Sequence, residues 1–561
     1  MTSAALYLHP EAYDTTGSKL MGRHSAGESF LRGLLRHAAG EQFYAYNAAN
    51  RPVSDLEALI RRIEPTAKST KWIGMRSLRE LATPGVLHCP SPELPRLAWT
   101  RQPHGDDRYS LCGITHTTAS HGAMDIIAEM TTAPVQPWDG LICTSRAVRS
   151  SVHLQMEAVQ ENLAARLGAT RFPSPQLATI PLGVNAADFT PSQDARAAWR
   201  TKLDIPSDAI VALYVGRLNP HAKMNPAMMA MVLEAAARRT GKEIYWVVSG
   251  WSASEKAAEV YHSETRALCP SVHYREIDGR PLDTRFSIWS IADFFISLSD
   301  NIQETFGLTP VEAMAAGLPC VVTDWDGYRD TVRHGLDGFR IRTFAPRAGL
   351  GGDLAYQHAN AWLSYELYLA AASQMTGIDH ASAVDAIVSL IENPDLRMRM
   401  AASARDAARQ IFDWSVIVPQ YEAFWTELND RRLAAKAGLE TSRPSTNPRR
   451  LDPFTLFADY PTETISASSV FALTPGMTVE AARKILGSTF GATARTLLLA
   501  QEHCDQIVNF LAASSKATLE ELLARWPVAH RGFVERGLLW LVKFDVIRIV
   551  PPEEGFKLIE A

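Results

Sequence analysis

The chain has 561 residues, a length typical of three or four domains rather than one. Hydrophobic residues make up 46% and charged residues 21%, values near the globular average that exclude a disordered, collagen-like or coiled-coil chain. Because 56 Lys and Arg residues face 61 Asp and Glu residues, the net charge is only -5, and the chain lacks the broad positive field of a dedicated nucleic-acid-binding protein.

The N-terminal block alternates short apolar runs with helical patterns, as βα units on a parallel sheet do. It opens with a predicted strand at residues 4–8, a Gly/Ser-rich turn over 17–27 and a helix over 28–38. Further strands are predicted at 111–115, 140–144 and 178–181. We interpret residues 1–190 as one Rossmann-like domain.

A second block of the same kind starts at residues 209–215, whose continuous apolar character is typical of a strand buried on both faces. The elements predicted after it are helix 227–239, strand 243–249, helix 253–269, strand 272–276, helix 284–292, strand 294–298, helix 310–316 and strand 320–323. Residues 191–436 therefore form a second predicted Rossmann-like domain.

The C-terminal part follows a linker predicted at residues 437–455, which is rich in proline and poor in apolar residues. Residues 456–561 are predicted to be mostly helical, with a capping box at 518–521 and a strand at 546–550. This order suggests a winged-helix-like accessory domain. From residue 451 onward the sequence has ten Lys and Arg residues and thirteen Asp and Glu residues. We therefore expect a protein-contact or oligomerisation module and no nucleic-acid binding.

The most informative segment is residues 299–319, which leaves a predicted strand at the edge where open α/β sheets bind ligands. Thr309 suits the N-cap of the next helix and Pro310 its first position. The free amides of such a helix terminus attract phosphate. Gly307 lets the backbone approach a ligand closely.

Two carboxylates, Glu304 and Glu312, stand eight residues apart in this segment. Glu304 is either a solvated loop acid or an acceptor of hydrogen bonds from sugar hydroxyls. Glu312 has an alternative structural role, because Thr309-x-x-Glu312 is itself a capping box.

A second motif, Gly216-Arg217-Leu-Asn-Pro-His-Ala-Lys223, follows the strand predicted at 209–215. Arg217 can bind phosphate as a bidentate fork and Lys223 as a point charge, so the pair can neutralise a diphosphate. The alternative is that both are ordinary surface charges.

These motifs, with the Glu-Ala-Met-Ala-Ala-Gly-Leu-Pro tail at 312–319, resemble the donor site of family 4 glycosyltransferases, which are retaining enzymes of GT-B fold. The resemblance covers about residues 4–430. It implies that Glu304 contacts donor-sugar hydroxyls and Glu312 the nucleotide ribose. It also implies roles at the donor phosphates or the reacting sugar for Gly27, His116, Gly216, Arg217, Lys223, Phe306, Gly307, Leu308 and Thr309.

Further features agree with the same family. Residues 143–146 resemble a strand-end serine region of the acceptor domain, and 180–185 resemble the segment that leads into the interdomain linker. The helix predicted from residue 414 resembles the one that crosses back to the first domain. The base-binding loop is expected around 277–280.

The fold class expected is thus α/β of GT-B type, with two Rossmann-like domains facing a cleft and a small winged-helix-like domain after them. The expected function is transfer of a sugar from a nucleoside-diphosphate sugar to a glycan, lipid-linked or protein hydroxyl in polysaccharide or glycoconjugate synthesis. The alternatives are a catalytically silent nucleotide-sugar-binding scaffold and a GT-B epimerase.

No cofactor beyond the sugar nucleotide and no metal is expected. Asp324-Trp-Asp326 superficially matches a metal-binding Asp-x-Asp element, but a turn before Gly327 explains it. The six cysteines include no C-x-x-C pair and indicate reduced core thiols. Neither a signal peptide nor a membrane-spanning run is visible, which favours a cytoplasmic protein with at most peripheral contact at the inner face of the membrane.

Overall fold

A computed structural model describes residues 4–15, 22–65, 68–436 and 447–550. The chain divides into two compact units, Met1–Arg450 and Leu451–Ala561. Of the predicted linker, 437–446 lies outside the described residues.

The first domain of the larger unit is built on seven parallel strands in the order β3-β2-β1-β4-β5-β6-β7. The strands are β1 Ala4–Leu8, β2 Phe43–Asn47, β3 Thr70–Ile73, β4 Val86–His88, β5 Ser110–Ile114, β6 Gly140–Cys143 and β7 Gln176–Thr179. The helices are α1 Pro10–Tyr13, α2 Gly22–His37, α3 Val53–Ile63, α4 Leu94–Arg101, α5 His121–Glu129 and α6 Arg146–Leu167.

The second domain has six parallel strands in the order β10-β9-β8-β11-β12-β13. The strands are β8 Ile210–Arg217, β9 Ile244–Trp251, β10 His273–Asp278, β11 Phe294–Ser297, β12 Cys320–Thr323 and β13 Gly338–Ile341. The helices are α7 Gln193–Lys202, α8 Ala227–Thr240, α9 Glu255–Leu268, α10 Leu282–Ser287, α11 Leu308–Ala315 and α12 Tyr328–Thr331.

A small insert, residues 343–378, separates β13 from the last helices of this unit. It contains the antiparallel strands β14 Thr343–Phe344 and β15 Gly377–Ile378, with the helices α13 Gly352–Ala359 and α14 Tyr365–Gln374 between them. The unit ends with α15 His380–Glu392, α16 Pro394–Ile411 and α17 Trp414–Lys436. Sequence reasoning did not identify the insert.

Helix α17 crosses back to the first domain, as the resemblance implies. Trp414 at its start is fully buried, and its indole Nε1 donates to Ser29 Oγ on α2 at 2.8 Å. Phe424 and Leu428, further along α17, lie so close to Gly140 of β6 that a Cβ there would approach Phe424 to 2.5 Å. One hydrophobic cluster therefore includes residues of both domains.

The smaller unit has its own core around Phe471, Leu511 and Leu541, each at most 1% exposed. A three-stranded antiparallel sheet, in the order β17-β16-β18, packs with the helices that surround it. Its elements are α18 Pro453–Leu456, β16 Val470–Leu473, α19 Val479–Leu486, α20 Gln501–Ser514, β17 Lys516–Thr518, α21 Leu519–Ala524, α22 Val528–Lys543 and β18 Ile547–Val550. The capping box predicted at 518–521 is confirmed at the start of α21.

The predicted fold class is confirmed: two Rossmann-like domains are followed by a mostly helical unit with a small sheet. The six cysteines are free and buried, as predicted for core thiols. Over the ranges that the structure describes, no helix is both long and apolar enough to cross a bilayer.

Candidate active site

The candidate site lies at the carboxyl edge of the second sheet, where the strand order reverses. β8 and β11 are neighbours, while β9 and β12, the strands that follow them in the chain, lie on opposite sides. Open α/β sheets bind ligands in the crevice at such a switch point. Residues 216–223 extend from the end of β8 and residues 299–312 follow β11, so both predicted motifs meet at this crevice.

An ion pair joins the two motifs. Lys223 Nζ lies 2.5 Å from Glu304 Oε2, although the residues are 81 positions apart. The Lys223 side chain is 25% exposed and the Glu304 side chain is 11% exposed. Asn301 strengthens the junction by donating from Nδ2 to the His221 carbonyl at 2.8 Å. The motifs thus form one site rather than two separate surface features.

Glu304 is held in its ionised form. Burial by itself favours the neutral acid, but the Lys223 ammonium and the amides of Thr305 and Phe306 outweigh it, and the pKa of Glu304 is lowered. A charged carboxylate at neutral pH accepts hydrogen bonds without donating any, as recognition of a polyol requires.

Arg217 is the second cation of the site and ends β8. Within the described residues it has no acidic partner at salt-bridge distance, whereas Lys223 is paired with Glu304. Gly216, just before it, lies against Tyr214: a Cβ at Gly216 would sit 2.5 Å from Tyr214 Oη. The strand end thus places a guanidinium at the crevice with no described carboxylate paired to it.

Helix α11 begins two residues earlier than predicted. Its N-cap is Gly307, at a φ of +87° that favours glycine, and its first residue is Leu308. Thr309 is therefore not the N-cap and Pro310 is not the first helical residue, so the capping-box alternative for Glu312 is wrong. A Cβ at Gly307 would also meet the Tyr328 ring at 2.2 Å.

Glu312 lies inside α11 and is half-buried. Burial raises its pKa to about 7, against the opposing charges of Arg285 and Lys223. Phe306 is 1% exposed and packs near Phe412, so its side chain belongs to the core while its amide serves Glu304. The predicted contacts of Glu312, Phe306, Gly307, Leu308 and Thr309 with a donor stay predictions.

His116 follows β5 of the first domain and reaches the same crevice. Its Nε2 lies 3.0 Å from the Pro90 carbonyl oxygen, and its own carbonyl accepts from Thr305 Oγ1 at 3.3 Å. Thr144, after β6, donates from Oγ1 to the Thr305 carbonyl at 3.2 Å. Thr305 therefore links the glutamate loop to two strand ends of the first domain.

Gly27, which the sequence places in a turn before the first helix, lies inside α2. A Cβ at Gly27 would lie 2.0 Å from the Ala12 carbonyl oxygen, so this glycine permits close helix packing. Its amide is past the first turn, where helix amides bond within the helix, and the expectation of a loop position for Gly27 is wrong.

Asp324 and Asp326 point to different partners. Asp324 Oδ1 lies 3.3 Å from Arg340 Nε, and Asp326 Oδ1 accepts from Ser145 Oγ of the first domain at 3.0 Å. Burial raises the pKa of Asp326 to about 7, and the charge of Glu304 adds to this. In the part of the chain that is described, no three His, Cys, Asp or Glu side chains are grouped as metal ligands.

Three contacts that sequence reasoning missed cross between the domains. Besides Ser145 with Asp326, Arg146 donates to Asp330 from its backbone N and from Nε, both at 2.7 Å. Arg285 donates from Nη2 to Ser25 Oγ at 3.4 Å. Because each pair joins residues more than a hundred positions apart on unrelated elements, no local pattern could indicate it.

Comparison with known proteins supports the second domain in particular. Residues 195–348 match the family model of glycosyl transferases group 1. A D-inositol 3-phosphate glycosyltransferase of Streptomyces scabiei is 29% identical over 182 residues, 31% of this chain and 39% of that protein. One of Corynebacterium efficiens is 24% identical over 288 residues, 51% of this chain and 59% of that protein. The chain thus spans well under two thirds of the length of these relatives.

Solved structures are similar over a larger share of the chain. Anabaena Alr3699/HepE in complex with UDP and glucose has 13% identity and a TM-score of 0.45, covering 78% of this chain and 100% of that one. Sucrose-phosphate synthase of Thermosynechococcus elongatus has 16% identity and a TM-score of 0.46, covering 77% of this chain and 100% of that one.

Proposed function

Because residues 195–348 match the family of glycosyl transferases group 1, we propose that the protein transfers a sugar from a nucleoside-diphosphate sugar to an acceptor hydroxyl. The observation that carries the proposal is the Lys223–Glu304 pair at the switch point. Arg217, at the same edge of the sheet, has no acidic partner among the residues that the structure describes. A diphosphate needs cations and a sugar needs a charged acceptor of hydrogen bonds, and this crevice offers both.

In this proposal, different residues bind the sugar and the nucleoside diphosphate of the donor. Glu304, ionised at neutral pH, accepts hydrogen bonds from sugar hydroxyls, and Lys223 and Arg217 face the diphosphate. The amides at the start of α11, beside Gly307, add a positive helix terminus. In this scheme Glu312 meets the nucleotide ribose, and its raised pKa allows it to donate as well as accept.

We propose a retaining reaction with ion-pair character. The bond between the anomeric carbon and the phosphate oxygen breaks, and the diphosphate leaves with the electron pair. The acceptor oxygen attacks the same face, and its proton passes to the departing phosphate. Negative charge grows on the diphosphate in the transition state, where Arg217 and Lys223 stabilise it in place of a metal ion. His116 lies on the acceptor side near the reacting sugar.

The acceptor in this proposal is a hydroxyl of a glycan, a lipid-linked glycan or a protein, in polysaccharide or glycoconjugate synthesis. It enters from the first domain, whose strand-end residues His116 and Thr144 meet the glutamate loop. The second compact unit contributes protein contacts or oligomerisation in this scheme.

The first test is cleavage of a panel of nucleoside-diphosphate sugars, with the released nucleoside diphosphate measured. Lys223→Ala and Glu304→Gln are expected to lower kcat by about a hundredfold or more, since each removes charge aimed at the reacting centre. Arg239→Ala is the matched control, because Arg239 forms a solvent-exposed pair with Asp385. Wild-type kcat in either site variant would remove that residue from the mechanism.

Further measurements test metal independence, retention of the anomeric configuration and the scaffold alternative. Excess chelator is expected to leave kcat unchanged, and strict dependence on Mg²⁺ or Mn²⁺ would contradict metal independence. The anomeric configuration of the product, read by NMR, is expected to match that of the donor. Binding of a sugar nucleotide with no cleavage by water or any hydroxyl acceptor would favour the scaffold alternative.

A further inference from the structure

The insert, residues 343–378, lies mostly beyond the segment that matches the family model, yet it contacts the loops that carry His116, Lys223 and Glu304. His358 of the insert accepts from His121 through its carbonyl, and the two rings lie 3.7 Å apart. Glu366 accepts from Asn219 on the loop that carries Lys223. The insert therefore touches the first domain and the second domain at once.

Tyr365, the first residue of α14, is the centre of these contacts. Its hydroxyl donates to Gln303 Oε1 at 3.1 Å and lies 3.4 Å from Thr117 Oγ1. Because the single phenolic proton goes to Gln303, Thr117 is the donor in the second contact. Thr117 directly follows His116, and Gln303 directly precedes Glu304.

The ring of Tyr365 is fixed by a small apolar cluster. Leu369, one turn along α14, is fully buried with Ala119 of the first domain and Ala222, the neighbour of Lys223, and Tyr365 packs against them with Ile302. Burial raises the pKa of Tyr365, while Thr117 and the nearby charge of Arg217 oppose the rise. One side chain thus adjoins the loops of His116, Arg217, Lys223 and Glu304.

We propose that Tyr365 is a positioning residue that holds the His116 loop and the Glu304 loop at a fixed separation, so that the insert sets the geometry of the reaction. The inference rests on the proposed function for its kinetic consequence. Catalysis depends on near-attack geometry, and a misplacement of about 1 Å can cost on the order of a hundredfold in rate. Without the hydroxyl, the two loops keep the apolar cluster but lose the hydrogen bonds that fix their spacing.

The kinetic test compares Tyr365→Phe with Tyr368→Phe. Tyr368 lies one turn further along α14 and stacks on His358, and among the described residues its hydroxyl has no hydrogen-bond partner. With the donor that the wild type cleaves fastest, Tyr365→Phe is expected to lower kcat about fivefold to tenfold while KM for the donor changes less than twofold. Tyr368→Phe is expected to match the wild type. Equal kcat in both variants would overturn the proposal.

A double-mutant cycle separates positioning from general destabilisation. Thr117→Val alone is expected to lower kcat by a similar factor, and Thr117→Val with Tyr365→Phe to lower it no further than the worse single variant, because both remove one network. Multiplicative losses would contradict a shared role.

Amide hydrogen exchange tests the placement without any turnover. Tyr365→Phe is expected to speed exchange both in residues 116–119 and in residues 300–305, on two different domains, while Tyr368→Phe leaves both segments unchanged. If the wild type cleaves no sugar nucleotide, the proposed function fails, and this measurement still decides the inference. Unchanged exchange in both segments would overturn the inference even in an active enzyme.

Discussion

At the scale of single residues, the crevice contains two carboxylates whose pKa values are shifted in opposite directions. Burial acts on both Glu304 and Asp326. Lys223 and two amides keep Glu304 ionised, whereas burial raises the pKa of Asp326 to about 7, although Ser145 Oγ and the Gly327 amide oppose the rise. The difference comes from the partner cation and not from depth. The same chemical group can therefore stay anionic at one position and carry a proton near neutral pH at another.

Asp300 is a second buried acid, and it has no partner cation at salt-bridge distance among the described residues. It follows β11, is 2% exposed, and its Oδ1 has no hydrogen-bond partner in the described part of the chain. Burial raises its pKa to about 7, with its own backbone amide opposing. The folded state therefore binds a proton that the unfolded state releases near pH 4, so stability falls as the pH rises between these values.

Asp300→Asn should remove this dependence. Each pKa unit corresponds to about 1.4 kcal/mol. Between pH 4 and 7, the free energy of unfolding of the variant minus that of the wild type is therefore expected to rise by about 1.4 kcal/mol for each pH unit. Chemical denaturation at several pH values measures the difference, with Asp385→Asn on the exposed surface as the control. A constant difference across this range would mean that Asp300 is not protonated in the folded protein.

The sequence predicts the candidate-site residues Arg217, Lys223, Glu304 and His116 because they occur in local motifs, but it does not predict their partners. The ion pair of Lys223 with Glu304 is set by the strand order, and a linear pattern does not contain that order. Gly27 was placed wrongly because a glycine near a predicted turn resembles a loop residue, whereas here it packs against the Ala12 carbonyl.

At the scale of elements, errors occurred where tertiary packing outweighed local preference. Thr309 and Pro310 are a good N-cap and first residue, yet α11 starts at Leu308, because Gly307 adopts a positive φ against the Tyr328 ring. The strands β2, β3 and β4 were not predicted, since they are three to five residues long and contain polar residues. The longer buried strands β8 and β9 were predicted to within two residues at either end.

The packing of α2 against the start of α17 gives a prediction at this scale. A Cβ at Gly33 would lie 2.3 Å from Trp414 Cγ, and Trp414 is fully buried. Gly33→Ala is therefore expected to destabilise the protein by about 1–3 kcal/mol through overpacking, despite the better helix propensity of alanine. Gly22→Ala in the same helix meets nothing within 4 Å and is the control, expected to be neutral or stabilising. Equal melting temperatures for the two variants would contradict this packing.

At the scale of the whole molecule, two compact units carry separate cores. The buried cluster around Phe471 and Leu538 contains only residues of the second unit. The first unit has one buried cluster that contains residues of both Rossmann-like domains, and each domain has a further cluster of its own. Residues that share a core unfold together. Because the two units have separate cores, the chain is expected to unfold in two steps.

Leu538→Ala tests that division. Leu538 is fully buried on α22, and its truncation is expected to cost about 2–5 kcal/mol in one calorimetric transition only. The other transition, and the rate of sugar-nucleotide cleavage, are expected to stay at wild-type values. The exposed Leu539 beside it provides the control Leu539→Ala. A uniform shift of both transitions would show that the units unfold together.

The chain passes between the two Rossmann-like domains at two places, and these places pair with each other. Val184 forms a parallel bridge with Asp413, its amide donates to the Phe412 carbonyl, and its carbonyl accepts from the Trp414 amide. Two crossings fastened at one point act as a hinge with a single axis. Opening of the crevice would therefore break contacts such as Arg146–Asp330 and His121–His358, while the Val184–Asp413 pairing can stay intact.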